Sequence, residues 1–321
     1  MREVSVEEYL EFVSRNNVVV IEDQVISLDP VEVRRFEPLP GELTDISTTV
    51  WSFPARGSWA THRGDYRGNW APQIPRALIL KYTSPGDVVL DPMVGSGTTC
   101  IEAILLGRNC IAVDINYGAV MLTHHRLYYL MKALKEGRPR SLIDYTRGGS
   151  SDSVNVWYRV FHGDARNLDK IPDGSVDLVA THPPYFNIIE YSGERVEGDL
   201  SKTRSLEEYL ALLKQVAEEV YRVLKPGGVL GILVGDTRVK KHYIPITHYA
   251  LLVLLDAGFT LKEEVIKIQH KMKTTREVWS KLRERDFLLI YHEKLFILEK
   301  TVHRDPELKY SMKPQFIELK V

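Results

Sequence analysis

A chain of 321 residues with 44% hydrophobic and 26% charged residues has the composition of a globular protein of about two domains, or one large domain with additions, and is too apolar to be disordered. Its 42 basic and 43 acidic residues leave a formal net charge of −1, which excludes nucleic-acid binding by bulk charge and demands a local basic patch for any such contact. No apolar run approaches the ~20 residues that span a bilayer, and the start Met-Arg-Glu-Val-Ser-Val-Glu-Glu lacks the core of a signal peptide. Two cysteines, Cys100 and Cys110, are too few for a disulfide framework or a Cys-rich metal site. A soluble, cytoplasmic protein without a metal is expected.

In chain order, residues 1–69 hold Pro38, Pro40 and Pro54, scattered aromatics and no long helical period past the first dozen positions. They read as an N-terminal extension packed on the core and available for substrate contacts. Residues 70–300 read as one domain and residues 301–321 as a surface tail. Strands are predicted at Asp87–Asp91, Cys110–Asp114, Val156–His162, Val176–Thr181, Val229–Val234, Thr260–Gln269 and Phe287–Lys300. Helices are predicted at Gly97–Leu106, Tyr117–Leu134, Leu206–Leu224 and Ile246–Ala257. The third of these ends at Lys225-Pro226-Gly227-Gly228, a stop that sends the chain directly into the next strand. Residues 132–155, basic and then Gly148-Gly149-Ser150-Ser151, read as an exposed insertion. Short β-branched runs alternating with helices predict an α/β fold, doubly wound around a mostly parallel seven-stranded sheet, with ligands at the carboxyl ends of the strands.

The sharpest segment is Val88-Val89-Leu90-Asp91-Pro92-Met93-Val94-Gly95-Ser96-Gly97-Thr98-Thr99. A strand ends in an acid, and a Gly-x-Gly turn opens a helix whose free N–H groups face a ligand. A phosphate-binding loop needs Lys where this chain has Thr98, and a dinucleotide loop wants a third Gly where it has Cys100. S-adenosylmethionine fits better, because an acid ahead of the turn can meet its ammonium group. The next strand ends at Asp114, where a carboxylate can accept both ribose hydroxyls, and the third ends at Asp164, placed for an adenine amino group. Taken singly, such aspartates are also ordinary turn and cap residues.

The fourth strand runs into Thr181-His182-Pro183-Pro184-Tyr185. With the segment Asp91–Thr99, this resembles the S-adenosylmethionine-dependent amino-methyltransferases that modify exocyclic nitrogens of nucleobases, over roughly residues 70–300. The resemblance implies a Rossmann-like class I methyltransferase fold, S-adenosylhomocysteine as product, and an element before the cofactor loop that also touches the cofactor, here Trp70-Ala71-Pro72-Gln73-Ile74-Pro75. It implies cofactor contacts at Trp70, Gln73, Pro75, Asp91, Pro92, Met93, Gly95, Ser96, Gly97, Thr98, Thr99, Asp114, Asn116, Asp164, Ala165 and Thr181. It also implies that the His182 side chain and the Pro183 carbonyl accept the hydrogens of the target amine, and that Tyr185, beside Pro184, stacks on the extruded base. An exocyclic amine is a poor nucleophile because its lone pair spreads into the ring; two acceptors localise that pair for in-line attack on the methyl group. The family carries Asp, Asn or Ser where this chain has His182, so base preference does not transfer directly. Phe186-Asn187-Ile188-Ile189-Glu190-Tyr191 is more similar to the cytosine-N4 enzymes.

Members acting on DNA carry a sizeable recognition region, whereas here the core elements consume nearly all of the chain after Tyr185. The expected substrate is therefore cytosine N4 in structured RNA, ribosomal RNA above others, read by shape. The alternatives are a site-specific DNA methyltransferase at cytosine N4 or adenine N6, a small-molecule methyltransferase, and a catalytically silent nucleic-acid-binding protein. Candidate nucleic-acid contacts are Arg238, Lys240 and Lys241 after the fifth strand and Lys271 and Lys273 further on. Arg63 and Arg67 join them in a segment where Arg56, His62, Trp51, Trp59, Tyr66 and Trp70 mix cations with rings. Solvated helix faces and a packed extension are the alternative reading of each patch.

Overall fold

The computed structural model describes residues 1–21, 23–43, 46–137, 156–184, 186, 199–270, 286–302 and 306–313. The first 70 residues supply β1 (Arg2–Val4), α1 (Val6–Arg15), the hairpin of β2 (Val18–Ile21) and β3 (Gln24–Ser27), and β4 (Val50–Ser52). There follow α2 (Gln73–Tyr82), β5 (Val88–Asp91), α3 (Thr98–Leu105), β6 (Asn109–Asp114), α4 (Tyr117–Gly137), β7 (Tyr158–His162) and β8 (Val176–Thr181). The remainder is α5 (Leu206–Val223), β9 (Leu224–Val234), the hairpin of β10 (Thr237–Val239) and β11 (His242–Ile244), α6 (Ile246–Asp256), β12 (Thr260–Ile268) and β13 (His292–Glu299). Both α1 and α5 begin with a Ser-x-x-Glu cap: Ser5 and Ser205 accept from the backbone N–H of Glu8 and Glu208.

One sheet runs β1-β7-β6-β5-β8-β9-β13-β12-β4. The five strands β7, β6, β5, β8 and β9 are parallel, and β13 is antiparallel to both its neighbours. All seven sequence-predicted strands are present in the predicted doubly wound α/β arrangement. The sheet has nine strands rather than seven, because the N-terminal segment adds β1 antiparallel to β7 and β4 parallel to β12, one at each edge. Strands of three residues carry no period of their own, so their partners rather than their sequence define them.

Successive residues of a strand face opposite ways. Val89 and Leu178 therefore join the core under α2, α3 and α4, while Leu90 and Val179 join the core under α5 and α6. Helix α2 is absent from the sequence prediction because its first turn contains Pro75 behind Pro72. Proline is tolerated there, where backbone donors lack intrahelical partners, and Ile74, Leu78 and Ile79 are fully buried. Cys100 on α3 and Cys110 on β6 are core residues, as expected, but they are also disulfide-bonded to each other, with Cα atoms 5.4 Å apart. Helix-on-strand packing makes that meeting, and the ten-residue separation does not announce it. No helix among the described residues is long and apolar enough to cross a membrane.

Strand order reverses beside β5, with β6 and β7 on one side and β8 and β9 on the other. The crevice at such a switch point is where α/β sheets place ligands. It lies at the carboxyl ends of β5 and β8, at Asp91 and Thr181.

Candidate active site at the ends of β5 and β8

Asp91 is buried and fully engaged. One carboxylate oxygen accepts from the Thr99 hydroxyl at 2.5 Å; the other accepts from the Thr181 hydroxyl at 2.8 Å and the Met93 N–H at 3.2 Å. Thr99 belongs to α3 just after the glycine turn, and Thr181 immediately precedes His182. One side chain thus fastens the turn to the end of β8. Burial, strengthened by the neighbouring Asp114 charge, raises the Asp91 pKa to about 6 against the three donors.

The turn itself is held open. Gly95 and Gly97 have φ of 54° and 84°, left-handed values that favour glycine. The Gly95 N–H donates to Asp114 Oδ2 at 2.8 Å, and its carbonyl accepts from the Thr123 hydroxyl at 3.0 Å. The Ser96 carbonyl accepts from the guanidinium of Arg126, a buried residue of α4 that also pairs with Asp65. Thr123 and Arg126 carry no sequence signal for this role: one turn of α4 presents both, and only packing brings them to the loop. Asp114 also accepts from the Asn116 N–H at 2.8 Å, and burial raises its pKa to about 6. The Asn116 side chain accepts from the Gly118 N–H at 2.8 Å and so caps α4. The loop residues Pro92, Ser96, Thr98 and Thr99 are buried and Met93 is half-buried.

Two further predicted cofactor residues have partners within the chain. Asp164 forms a two-pronged pair with Arg166, whose Nε and Nη2 lie 2.9 and 2.6 Å from Oδ2, and Ala165 behind it is buried. Gln73 donates to the Ala55 carbonyl at 2.9 Å and accepts from the Gly57 N–H at 3.3 Å, so its amide pins the N-terminal segment. Pro75 is buried in the first turn of α2. The two carboxylates and the left-handed glycines ahead of the α3 N-terminus are nonetheless a donor and acceptor set that fits S-adenosylmethionine. A cation and ribose hydroxyls both seek acceptors, and a Cβ at Gly95 would collide with the Tyr66 ring that covers the turn.

Beyond Thr181 the chain turns through His182, Pro183 and Pro184. His182 is half-buried; its ring lies nearly parallel to Trp70 with centroids 6.0 Å apart and hydrogen-bonds to the backbone of Gly68. Burial holds its pKa below the usual value, so the ring is neutral and keeps one nitrogen lone pair. Trp70, predicted as a cofactor contact, thus shelves the His182 ring. The Pro184 carbonyl accepts from Tyr209 of α5 at 3.4 Å, and Phe186 packs on the same tyrosine at 5.9 Å between centroids. Tyr185 lies outside the described residues, as do Lys271, Lys273 and residues 138–155 of the predicted insertion.

The basic patches divide. Trp51, Trp59, His62 and Trp70 are buried, so they are packing residues and not a base-stacking surface. Arg56 is turned inward onto Asn69 at 2.5 Å and the Trp70 carbonyl at 3.2 Å, with burial lowering its pKa to about 10. Arg63 is half-buried and Arg67 exposed. Arg238 donates to the Lys241 and Leu288 carbonyls and packs against the Tyr243 and Phe287 rings. It shapes a β10–β11 turn in which Lys240 and Lys241 have φ of 46° and 71°, positions that Asn-Gly usually fills. Both lysines are exposed at the strand-end rim, with Lys241 3.2 Å from Asp286.

A family profile described as DNA methylase matches residues 7–124 and 176–315, and another described as RMKL-like, methyltransferase domain, matches residues 68–242. The Type II methyltransferase M2.MboI of Moraxella bovis is 34% identical over 86 residues, covering 27% of this chain and 32% of that protein. The tRNA (guanine(10)-N2)-dimethyltransferase of Methanothermobacter thermautotrophicus is 25% identical over 210 residues, 65% of this chain and 48% of its own length. The chain thus spans less than half the length of either relative. The solved structure of TrmN from Thermus thermophilus is similar at 22% identity over 73% of this chain and 50% of that one, with a TM-score of 0.41.

Proposed function

The chain belongs to the DNA methylase family, and on that premise we propose that it is an S-adenosylmethionine-dependent methyltransferase acting on the exocyclic amino group of a nucleobase. The observation that carries this reading is the Asp91 bridge, which ties the glycine turn through Thr99 to the His182-Pro183-Pro184 segment through Thr181. A methyl donor seated on the turn and an amine seated at the prolines would be held in one register by that side chain, and placement is the main demand of a direct in-line transfer. The cofactor supplies the electrophilic methyl group. Asp91 and Asp114 bind its cationic and hydroxyl groups; the neutral His182 ring and the Pro183 carbonyl accept the amine hydrogens; Tyr185 stacks on the base.

Cytosine N4 in structured RNA remains the favoured substrate and DNA the second. Supporting RNA, the segment 1–69 is engaged in sheet edges and in pins on the cofactor loop rather than set apart as a sequence-reading region. A relative named for tRNA and relatives named as type II methyltransferases mark the two sides of that choice. Domain limits at 70 and 300, a cytoplasmic location and a nucleic-acid partner belong to the same proposal. The test is incubation with labelled S-adenosylmethionine and unmodified ribosomal RNA, small ribosomal subunits or genomic DNA, followed by nucleoside analysis. Label on N4-methylcytidine supports the whole reading; label on deoxynucleosides moves the substrate to DNA; no label with cofactor still bound overturns the nucleobase assignment.

Two predictions follow from the site. Cofactor affinity is expected to be level above pH 6 and to fall about tenfold per pH unit below it for each carboxylate that must ionise, since Asp91 and Asp114 both take up protons near pH 6. Calorimetric titration between pH 5 and 8 measures this, and a flat profile refutes it. The double change Lys240→Glu with Lys241→Glu is expected to weaken RNA binding at least tenfold and flatten its salt dependence. Cofactor affinity should stay within twofold; equal loss of both would place the hairpin in the cofactor site instead.

A further inference from the structure

Residues 63–69 cross the glycine turn and are joined to it at successive points. Asp65 pairs with Arg126, which donates to the Ser96 carbonyl at 3.1 Å. The Asn69 side chain accepts from the Thr98 hydroxyl at 2.8 Å. Between these two anchors the Tyr66 ring lies directly on Gly95: a Cβ built on that glycine would stand 2.8 Å from Tyr66 Cε1 and 3.3 Å from its hydroxyl. On the outer side the Arg67 N–H donates to Gln24 Oε1 at 2.8 Å, at the first residue of β3, and β2 in turn packs against Gly118 at the start of α4.

The side of Gly95 left bare by its missing side chain is covered by the Tyr66 ring, so a ligand resting on the turn there meets that ring. The anchorage of this strap runs through side chains, and segments held that way open at lower free energy than the sheet beneath them. Given the cofactor assignment above, on which this step rests, the geometry points to residues 63–69 as a strap that walls the cofactor cleft. Tyr66 is its contact side chain, and release of S-adenosylmethionine requires the strap to lift. Arg63 and Arg67, nucleic-acid candidates by sequence, lie on the same strap, and Tyr66 carries no sequence signal for a cofactor contact. The strap assigns Tyr66 to the cofactor, and Asp65 and Asn69 to positioning it.

The test is S-adenosylmethionine binding by calorimetry and its release by stopped-flow displacement, for the unmodified chain, Tyr66→Ala and Tyr66→Phe. Tyr66→Ala is expected to raise Kd about tenfold, through faster release, because an aromatic packing contact is lost; Tyr66→Phe, which keeps the ring, should recover most of it. Hydrogen exchange on the unmodified chain gives a readout that needs no variant to fold: amides of residues 63–69 should exchange several-fold more slowly with cofactor present. Unchanged release in Tyr66→Ala, or unchanged exchange on binding, overturns the strap while leaving the functional reading intact. No cofactor binding by the unmodified chain overturns both.

Discussion

Replacing Glu102 with alanine is expected to cost about 3–5 kcal/mol of unfolding stability, the range for breaking a buried ion pair from one side. Glu102 lies on α3 with no exposed surface. Its Oε1 accepts from Trp59 Nε1 at 2.7 Å and His62 Nε2 at 2.6 Å, and its Oε2 accepts from Arg76 Nη1 at 2.9 Å. Burial depresses the His62 pKa, so that ring donates as a neutral imidazole, and among the described residues the cation paired with Glu102 is Arg76, which Glu37 also contacts at 2.5 Å. Alanine would leave a buried guanidinium and two buried N–H groups facing a cavity. Glu102→Gln keeps the shape and one acceptor oxygen but turns an NH2 group toward a donor, so an intermediate loss is expected. Denaturant unfolding followed by circular dichroism measures both; a loss under about 1 kcal/mol for Glu102→Ala would show that the cluster is solvated.

The second large effect concerns Asp91, where stability and binding should move in opposite directions. The folded pKa of about 6 stands above the ordinary 3.8, so this carboxyl stabilises the fold when protonated. That contribution is complete below pH 3.8 and is lost as pH rises through about 6. At pH 7 the ionised group therefore opposes folding. Asp91→Asn removes the charge and can retain the Thr99 and Thr181 hydrogen bonds, because either hydroxyl can rotate to accept. The variant is expected to be as stable as the parent or more so at pH 7, yet to bind S-adenosylmethionine 10- to 100-fold more weakly, the value of a charged hydrogen bond. Thermal unfolding and calorimetric binding at pH 7 decide this. Retained affinity would refute the electrostatic role; lost stability would show that the buried charge is better compensated than its raised pKa implies.

The same network explains why some of the site could be read from residues alone. Gly95 and Gly97 announce left-handed turns, Pro183-Pro184 announces the end of a ladder, and the acids at 91 and 114 close strands of hydrophobic residues. Each of these is a local property of a few consecutive residues. Gln73, Asp164 and Arg238 are equally suggestive in sequence, and their partners, the Ala55 carbonyl, Arg166 and the Lys241 carbonyl, are not legible there. A polar side chain advertises a capacity to bond without advertising its partner.

By itself the sequence determined the doubly wound α/β sheet, because burial on both faces enforces near-continuous apolar runs in β5, β6, β8 and β9 that survive without their neighbours. It also determined the order of the cofactor turn and the proline segment along the chain. Only the tertiary structure decided that β1 and β4 extend the sheet at both edges and that Cys100 meets Cys110. It alone set Trp70 beneath His182 and brought Arg126 and Tyr66 onto the glycine turn. These are contacts between elements distant in sequence, set by how helices and strands pack, and no local period or propensity encodes which partner closes them.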